Sequence, residues 1–151
     1  MPTRPVILDS GPVGRLVTPS PTRHLDLKLW YGTLREHDVK IILPAIIDYE
    51  VRRNLVLEGL TLSLGVLDRL GESIGVEPMR PDTLKAAAEL WARARREGFP
   101  GGHPHDIDVD VIVAALAQDT HAIVATDNVA HFARFVDARP WSAITPAALR
   151  T

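Results

Sequence analysis

The sequence predicts an α/β sandwich with a mostly parallel central sheet. Three short apolar runs, over residues 5–9, 39–44 and 122–127, alternate with segments of helical periodicity. Because each run is apolar throughout rather than at every second position, it is typical of a strand buried on both faces of a parallel sheet. The length of 151 residues suits one core, so we expect a single domain over residues 1–151.

Two helices are predicted around the second strand. The segment 22–38 carries leucines near one face, which is the pattern of an amphipathic helix. The segment 44–59 opens with Pro44, a residue favoured in the first helical turn, and closes on Gly59. These segments supply the helices between the strands.

The rest of the chain is predicted to add more helices and a last strand. Residues 81–98 have apolar side chains at helical spacing, a charged opposite face and a glycine stop. Residues 108–120 predict a buried helix that begins with acids, followed by a short helix over 128–135 and a strand over 138–144. The apolar segment 60–75 contains internal glycines, and it fits either an ordinary core helix or a helix covered by a partner.

The composition excludes several classes of protein. Apolar residues make up 46% and charged residues 24%, a balance too mixed for a disordered chain. The formal charge of -2 provides no overall basic field, so a polyanion must be met by local arginines or by metal ions. The absence of cysteine excludes disulfides, thiolate zinc sites and a cysteine nucleophile. Because the sequence shows neither a signal-peptide pattern nor a membrane-spanning run, we expect a cytoplasmic protein.

Acidic residues recur where the predicted strands end. Asp9 ends the first strand and Asp127 ends the third. Asp110 opens a helix whose preceding loop is expected at the same sheet edge, and Glu50 lies in the second turn of the helix after the second strand. Because ligands of open α/β sheets bind outside the carboxyl ends of the strands, we expect these four acids to share one crevice.

Such a cluster favours bound metal ions. Two unit charges about 4 Å apart interact by roughly 4 kcal/mol at an effective dielectric of 20, so clustered carboxylates repel unless they are protonated or bridged by cations. Oxygen ligands without cysteine favour Mg²⁺ or Mn²⁺. These ions activate water and stabilise charge on the attacking and leaving oxygens of a phosphodiester. The cluster therefore indicates a metal-dependent phosphodiester hydrolase.

Each acid also has a purely structural interpretation. The Ser-Gly-Pro after Asp9 predicts a break in the chain, with Asp9 as a turn former. Asp127-Asn128 could cap the next short helix, and the acids of "DIDVD", over 106–110, could be the N-terminal charges of one helix. The same pentapeptide lacks the glycine and the closing glutamate of a calcium-binding loop. Joint placement at strand ends favours a site over these separate interpretations.

Four segments in order carry a resemblance to a known family. They are "LDSGP" with Asp9, "DYEVRRNL" with Glu50, "DVIVAALA" with Asp110, and "VATDNVAHF". Together they resemble the PIN-domain nucleases, especially the VapC-like toxins of bacterial toxin–antitoxin pairs, over nearly the whole chain. The resemblance implies a three-layer α/β/α sandwich and a Mg²⁺- or Mn²⁺-dependent ribonuclease specific for single strands.

The resemblance also implies roles for individual acids. It places Asp9, Glu50 and Asp110 on the first three acids of the family. Asp48 competes with Glu50 because both lie near the start of the same helix, and the resemblance selects Glu50. Asp108 is an additional metal candidate, two residues before Asp110.

The fourth acidic position is open between two neighbours. The family pattern is Thr, any residue, then Asp or Asn, which puts Asn128 on the usual position after Thr126. Either Asp127 supplies the fourth acid, or Asn128 holds a metal-bound water. The hydroxyls of Ser10 and Thr126 are expected to support the site by hydrogen bonds. The metal candidates are therefore Asp9, Asp108, Asp110, Asp127 and Asn128.

Several basic residues are candidates for RNA contact. Arg15, Arg52 and Arg53 could bind phosphates, because a guanidinium matches a phosphate with two hydrogen bonds. His103 and His105 would contact RNA beside Asp110. For each of them, an ordinary solvated surface position is the alternative.

The sequence therefore predicts a Mg²⁺- or Mn²⁺-dependent endoribonuclease, the toxin of a toxin–antitoxin pair, in which Glu50 binds or orients the attacking water. The expected partners are single-stranded RNA, a small cognate antitoxin and a second copy of the chain. One alternative is a PIN-type nuclease that processes RNA outside any toxin pair. The other is a non-catalytic PIN-like binding or scaffold protein, which the imperfect fourth position suggests.

Overall fold

A computed structural model describes residues 2–98 and 107–151 of the chain. Within these residues the strands are β1 (Val6–Leu8), β2 (Ile41–Pro44), β3 (Val76–Glu77), β4 (Ile123–Ala125) and β5 (Ala138–Arg139). They form a parallel sheet in the order β3-β2-β1-β4-β5. The parallel sheet and its three principal strands are therefore confirmed.

The helices lie between the strands along the chain. They are α1 (Ser10–Leu16), α2 (Leu25–Glu36), α3 (Ala45–Leu57), α4 (Thr61–Ile74), α5 (Pro81–Arg96), α6 (Asp108–Thr120) and α7 (Val129–Phe132). From β1 the sheet grows through β2 to β3, and the chain then returns past β1 to β4 and β5. Because crossovers between parallel strands are right-handed, this reversal puts α1–α4 on one face and α5–α7 on the other. The result is the expected three-layer α/β/α sandwich.

The buried strands hold the edge of the sheet in place. All three residues of β1 and all three of β4 have no exposed surface, and β2 is also buried throughout. Each buried valine, leucine or isoleucine contributes roughly 1.5–3 kcal/mol relative to an exposed side chain. The ends of β1 and β4 are therefore rigid supports for the residues that follow them.

The segment after β1 corrects the expected chain break. Helix α1 begins at Ser10, directly after Asp9, and Pro12 is buried within its first turn. A proline is tolerated there because the first N–H groups of a helix have no intrahelical partner. The Gly-Pro pair therefore starts a helix and does not interrupt the fold.

The remaining differences concern element ends. Pro44, expected in the first turn of a helix, is extended and ends β2, and α3 begins at Ala45. The last strand is limited to Ala138–Arg139, because Pro140 follows and residues Trp141–Ala143 form a 3₁₀ turn. The short strand β3 is an element that the sequence pattern did not predict. The helices predicted over 22–38, 60–75, 81–98, 108–120 and 128–135 are confirmed with small differences in their ends.

Trp30 of α2 and Trp141 join α2 to the C-terminal segment. The rings of Trp30 and Trp141 lie 5.8 Å apart, and Trp30 Nε1 donates a 2.7 Å hydrogen bond to the carbonyl of Ile144. In the described parts of the chain, none of the helices is long and apolar enough to cross a membrane.

Candidate functional site

The candidate site lies at the carboxyl ends of β1 and β4. These strands are neighbours, with Leu8 opposite Ala125, and the chain leaves them in opposite directions across the sheet. Asp9 and Thr126 are the first residues beyond the two strands, and the Asp9 N–H donates a 3.0 Å hydrogen bond to the carbonyl of Ala125. Such a reversal point opens a crevice in which α/β proteins bind ligands.

A buried hydrogen bond links the two residues at this point. Thr126 Oγ1 donates to Asp9 Oδ2 over 2.7 Å, and Thr126 is fully buried while Asp9 is 6% exposed. The same hydroxyl oxygen accepts the N–H of Asn128 over 2.9 Å, so its own proton is directed to Asp9. The Asp9 carboxylate is therefore held in one orientation as a hydrogen-bond acceptor.

A second carboxylate reaches the same region from α6. Asp110 lies in the first turn of α6, and its Oδ2 is 3.1 Å from Nδ1 of His131 on α7. Burial raises the pKa of Asp110 to about 6, the ion pair with His131 opposes the shift, and the charges of Asp9 and Glu50 add to it. The structure thus brings Asp9, Glu50 and Asp110 close enough for their charges to interact.

Asp48 and Glu50 differ in what their carboxylates meet. Asp48 accepts two hydrogen bonds from Arg52, one turn later in α3, at 2.8 and 3.1 Å. Glu50 is half-buried, and its charge acts on Asp110. Asp48 is therefore engaged by Arg52, whereas the charge of Glu50 interacts with the acids at the strand ends.

Asp127 follows Thr126 but pairs with an arginine. Arg15 donates to both carboxylate oxygens of Asp127, at 2.7 and 2.8 Å. These hydrogen bonds lower the pKa of Asp127 below its usual value. The carboxylate also lies against Gly11, where an added Cβ would overlap it. In this arrangement, Asp127 is neutralised from α1 and is separate from the cluster of three acids.

The other predicted ligands are placed around this cluster. Asn128 immediately precedes α7, with its N–H bound to Thr126, and Ser10 is the first residue of α1. Asp108 lies about 200° around α6 from Asp110, since each helical residue turns the chain by about 100°. It lines a hollow between α5 and α6 with Trp91. Asp108 and Asp110 are therefore on different sides of their helix.

The candidate RNA-binding residues differ in what they already contact. Arg52 binds Asp48 and also Asp68 of α4, over 2.8 Å, so it ties α3 to α4. Arg53 is exposed, with its guanidinium 5.6 Å from the centre of the Tyr49 ring. Arg15 pairs with Asp127 as above. His103 and His105 lie outside the described residues.

His131 is a candidate site residue that the sequence pattern did not predict. It lies in the first turn after Asn128, on a helix that starts at the same sheet edge as Asp127. That position was the available signal, because a residue one turn beyond a strand end can face the crevice. Its contact with Asp110 arises between residues 21 positions apart on two separate helices, so no local spacing marks it.

The carboxylates at the strand ends differ in arrangement from a complete metal-binding cage. Within residues 2–98 and 107–151, no three carboxylate or imidazole groups are already arranged around a single point that would hold an ion. Mg²⁺, however, keeps several waters and usually binds one or two carboxylates rather than a complete protein cage. The raised pKa of Asp110 shows that the region disfavours accumulated negative charge. Asp9 and Asp110 therefore fit a hydrated hard cation.

Comparisons with known proteins identify the fold. No protein-family model matches the chain, and no curated protein matches its sequence. Among solved structures, it is similar to VapBC2 from Rickettsia felis bound to a DNA fragment from their promoter, with a TM-score of 0.72 and 15% identity over 90% of this chain and 98% of that one. FitAcB from Neisseria gonorrhoeae gives a TM-score of 0.68 and 19% identity over 92% and 99% of the two chains. VapBC-1 from nontypeable Haemophilus influenzae gives 0.65 and 18% over 91% and 98%.

These comparisons correct the family assignment made from the sequence. The identification as a PIN-domain nuclease of the VapC-like toxins is wrong as it stands, because the matching structures are VapBC and FitAB complexes and do not identify which component this chain resembles. At 15–19% identity these structures show the fold but not the family or the activity. The chain therefore has the three-layer α/β/α, PIN-like fold.

Proposed function

We propose that this chain is a divalent-metal-dependent hydrolase that cleaves phosphodiester bonds in single-stranded RNA. The observation that carries the proposal is the charge interaction of Asp9, Glu50 and Asp110, brought from β1, α3 and α6 to the reversal point of the sheet. Carboxylates placed together in this way are stabilised by a divalent cation, and divalent cations serve phosphodiester hydrolysis.

Asp9 and Asp110 are the residues that would hold Mg²⁺ or Mn²⁺. When bound, the ion supplies an activated water and charge stabilisation for the scissile phosphate. Thr126 keeps the Asp9 carboxylate oriented through its 2.7 Å hydrogen bond. His131 holds Asp110 in place from α7.

Glu50 binds or orients the attacking water and accepts its proton. The support for this role is that Glu50 lies on α3 and that its charge interacts with the carboxylate of Asp110. The fourth position belongs either to Asp127, whose carboxylate is paired with Arg15, or to Asn128, which follows it. Ser10 adds a hydroxyl at the start of α1, next to Asp9.

RNA phosphates are met by local cations because the chain as a whole is slightly acidic. Arg53 is exposed on α3, the helix that carries Glu50. Arg15 lies on α1, the helix that starts beside Asp9. Arg52 is the weaker candidate, because Asp48 and Asp68 already occupy its guanidinium.

A protein partner is proposed on independent grounds. The VapBC and FitAB structures are toxin–antitoxin complexes, which supports an antitoxin partner for this chain. The corner between α3 and α4 exposes apolar side chains that a partner would cover: Val56, Leu57, Leu60 and Leu62 are 61%, 84%, 44% and 74% exposed. Exposed apolar patches of this kind mark interaction sites.

The partner is tested by co-expression with any short reading frame beside that of this chain. We expect a complex that suppresses RNA cleavage and that is weakened by Leu57→Ser with Leu62→Ser. Light scattering on the chain alone tests the second expectation, that it forms a homodimer. A monomer that binds no product of a neighbouring frame would overturn both partner assignments.

The activity is tested by cleavage of a mixed single-stranded RNA pool with Mn²⁺. We expect cleavage by the wild-type protein and none with EDTA, with Asp9→Asn or with Asp110→Asn. Asp119→Asn is the matched control, because Asp119 is an exposed aspartate on the same helix as Asp110. Full activity in both site variants would exclude the assignment, whereas loss in Asp119→Asn would indicate a general effect on α6.

A non-catalytic binding protein is the second candidate. It is favoured by one observation, namely that the described residues do not present a ready-made group of three metal ligands. Calorimetric titration with Mn²⁺ separates the two candidates. Heat of binding that disappears in Asp9→Asn supports the hydrolase, and a folded protein without Mn²⁺ binding supports the binding protein.

A further inference from the structure

We propose that Arg15 controls access to the fourth acidic position: it holds Asp127 in an ion pair until an RNA phosphate takes the guanidinium and frees the carboxylate for the metal site. This inference rests on the proposed function, because it assigns Arg15 a positioning role in that same site. In this proposal, RNA binding increases the affinity for the metal ion, and metal binding increases the affinity for RNA. The ion pair between Arg15 and Asp127 couples the two.

The geometry of the pair is specific. Two guanidinium nitrogens of Arg15 bind the two carboxylate oxygens of Asp127, at 2.7 and 2.8 Å. Such two-point, charge-assisted contacts are the strongest hydrogen bonds between side chains. Arg15 therefore occupies both oxygens that Asp127 would offer to a cation.

The pair is also exchangeable. The side chains of Arg15 and Asp127 are 31% and 43% exposed. Because both side chains reach solvent, water and dissolved ions can compete for them, and a phosphate can approach the guanidinium. A phosphate accepts the same two parallel hydrogen bonds from a guanidinium, so exchanging the carboxylate for a phosphate preserves the number of hydrogen bonds.

The surface of α1 is shaped for the Asp127 carboxylate. Asp127 Oδ2 lies where a Cβ on Gly11 would be, and only glycine leaves that space. Arg15 follows one helical turn later, on the helix that begins directly after Asp9. One short helix thus supplies both the space and the cation for an acid that lies beside Thr126, the hydrogen-bond donor to Asp9.

An open hollow adjoins Arg15. It has a volume of about 480 Å³, and its polar lining includes Arg15, Thr22, His24 and Asp26. The pKa of His24 is lowered, first by partial loss of hydration and then by the cationic neighbours Arg23, Arg15 and Lys28. A phosphate that enters this hollow can therefore reach the guanidinium of Arg15, with Arg23 and Lys28 close enough to add to the attraction.

The test measures Mn²⁺ affinity by calorimetry, with and without a short 2′-O-methyl RNA that is not cleaved. In the wild-type protein, we expect the oligonucleotide to tighten Mn²⁺ binding about fivefold, the lower range of ordinary coupling between sites. In Arg15→Ala, we expect this tighter binding without the oligonucleotide and no further change on its addition. Arg15→Lys, which keeps the charge but loses the two-point contact, should lie between them.

Two further variants make the result specific. Arg15→Ala combined with Asp127→Asn should return Mn²⁺ affinity to the wild-type level, because the freed carboxylate is then absent. Arg35→Ala is the control for a general change in charge and should leave Mn²⁺ affinity unchanged. Arg35 is an exposed arginine near the C-terminal end of α2. Far-ultraviolet circular dichroism verifies that each variant is folded.

The outcomes separate this inference from the proposed function. If the wild-type protein binds Mn²⁺ through Asp9 and Arg15→Ala binds it equally well, the control by Arg15 is wrong and the hydrolase assignment stands. If neither protein binds Mn²⁺ in an Asp9-dependent manner, both are wrong. Weaker RNA binding by Arg15→Ala without a change in Mn²⁺ affinity reduces Arg15 to a simple phosphate contact and also overturns the inference.

Discussion

Thr126 donates a 2.7 Å hydrogen bond to Asp9 across the join between β1 and β4. The two residues are 117 positions apart in the sequence, yet they are the first residues beyond adjacent strands. The bond fixes the orientation of a buried carboxylate at the point where the sheet changes direction. It is therefore the structural centre of the candidate site and the first target for mutation.

Thr126→Val is expected to lower both stability and activity. The valine keeps the shape of threonine but leaves the buried carboxylate of Asp9 without its hydrogen-bond donor, and such a group costs about 1–3 kcal/mol. Urea unfolding measures the stability, and RNA cleavage with Mn²⁺ measures the activity. Thr126→Ser keeps the hydroxyl and should retain most of both, so a valine variant as stable as the serine variant would show that the hydrogen bond is unimportant.

Asp110→Asn is expected to stabilise the metal-free protein at neutral pH while removing activity. Because the pKa of Asp110 is raised to about 6, the folded state disfavours the charged form. The penalty is absent below the ordinary value near 4 and complete above about 6, so wild-type stability should fall relative to the variant as the pH rises across this range. The full shift corresponds to about 3 kcal/mol.

Urea unfolding of both proteins at pH 4 and pH 7.5 in EDTA measures this difference. The control Asp119→Asn, on the same helix, should show no such pH dependence. Equal stability of wild type and Asp110→Asn at both values would mean that the carboxylate of Asp110 carries no penalty in the fold.

Mn²⁺ is expected to stabilise the protein more at pH 7.5 than at pH 5. A carboxyl group must lose its proton to bind a cation, and Asp110 is largely protonated below its pKa of about 6. Binding to the folded state alone then raises the midpoint of thermal unfolding. Differential scanning fluorimetry with and without Mn²⁺ at both pH values measures this, and Asp110→Asn should lose the pH dependence of the shift.

Gly11→Ala is expected to destabilise the protein by about 1 kcal/mol or less, because the overlapping oxygen is the far end of a partly exposed side chain that can move at the cost of its ion pair. Its Cβ would overlap the carboxylate of Asp127, so the ion pair with Arg15 must move. Gly14→Ala is the matched control on α1, because the described residues leave open space around a Cβ there, and it should stabilise the helix by up to about 1 kcal/mol.

Thermal unfolding of the two alanine variants tests that contrast. In an Asp127→Ala background, the overlap at Gly11 disappears and Gly11→Ala should be tolerated. Equal effects of the two glycine substitutions would contradict the close approach of Asp127 to α1.

The sequence pattern was sufficient for the elements that depend on local regularity. The strands around Ile7, Ile42 and Val124 are continuously apolar because they are buried on both faces, and this signal needs no knowledge of the neighbours. The placement of acids at strand ends followed from the same strands. The short strand β3 was missed because its two residues are extended through pairing with β2, which the local sequence does not encode.

Other features depend on contacts that no short window contains. The pair of Arg15 and Asp127 joins residues 112 positions apart, and the ion pair of Asp110 with His131 forms only when α6 and α7 meet. The sequence predicts a break at the position of α1, because Gly-Pro usually marks a turn. The helix forms there because a proline in the first helical turn loses no hydrogen bond. Local rules therefore indicated where the acids lie but not which cations they meet.

The strand order places β1 between β2 and β4, so the candidate site forms only once the chain has been synthesised beyond Thr126. When Asp9 emerges from the ribosome, the strand that precedes Thr126 has not yet been made, and contacts between such distant segments are slow to form. A nascent chain that stops before residue 123 has the first acid but lacks the neighbour that orients it. The orientation of the Asp9 carboxylate is thereby linked to the addition of β4 to the sheet.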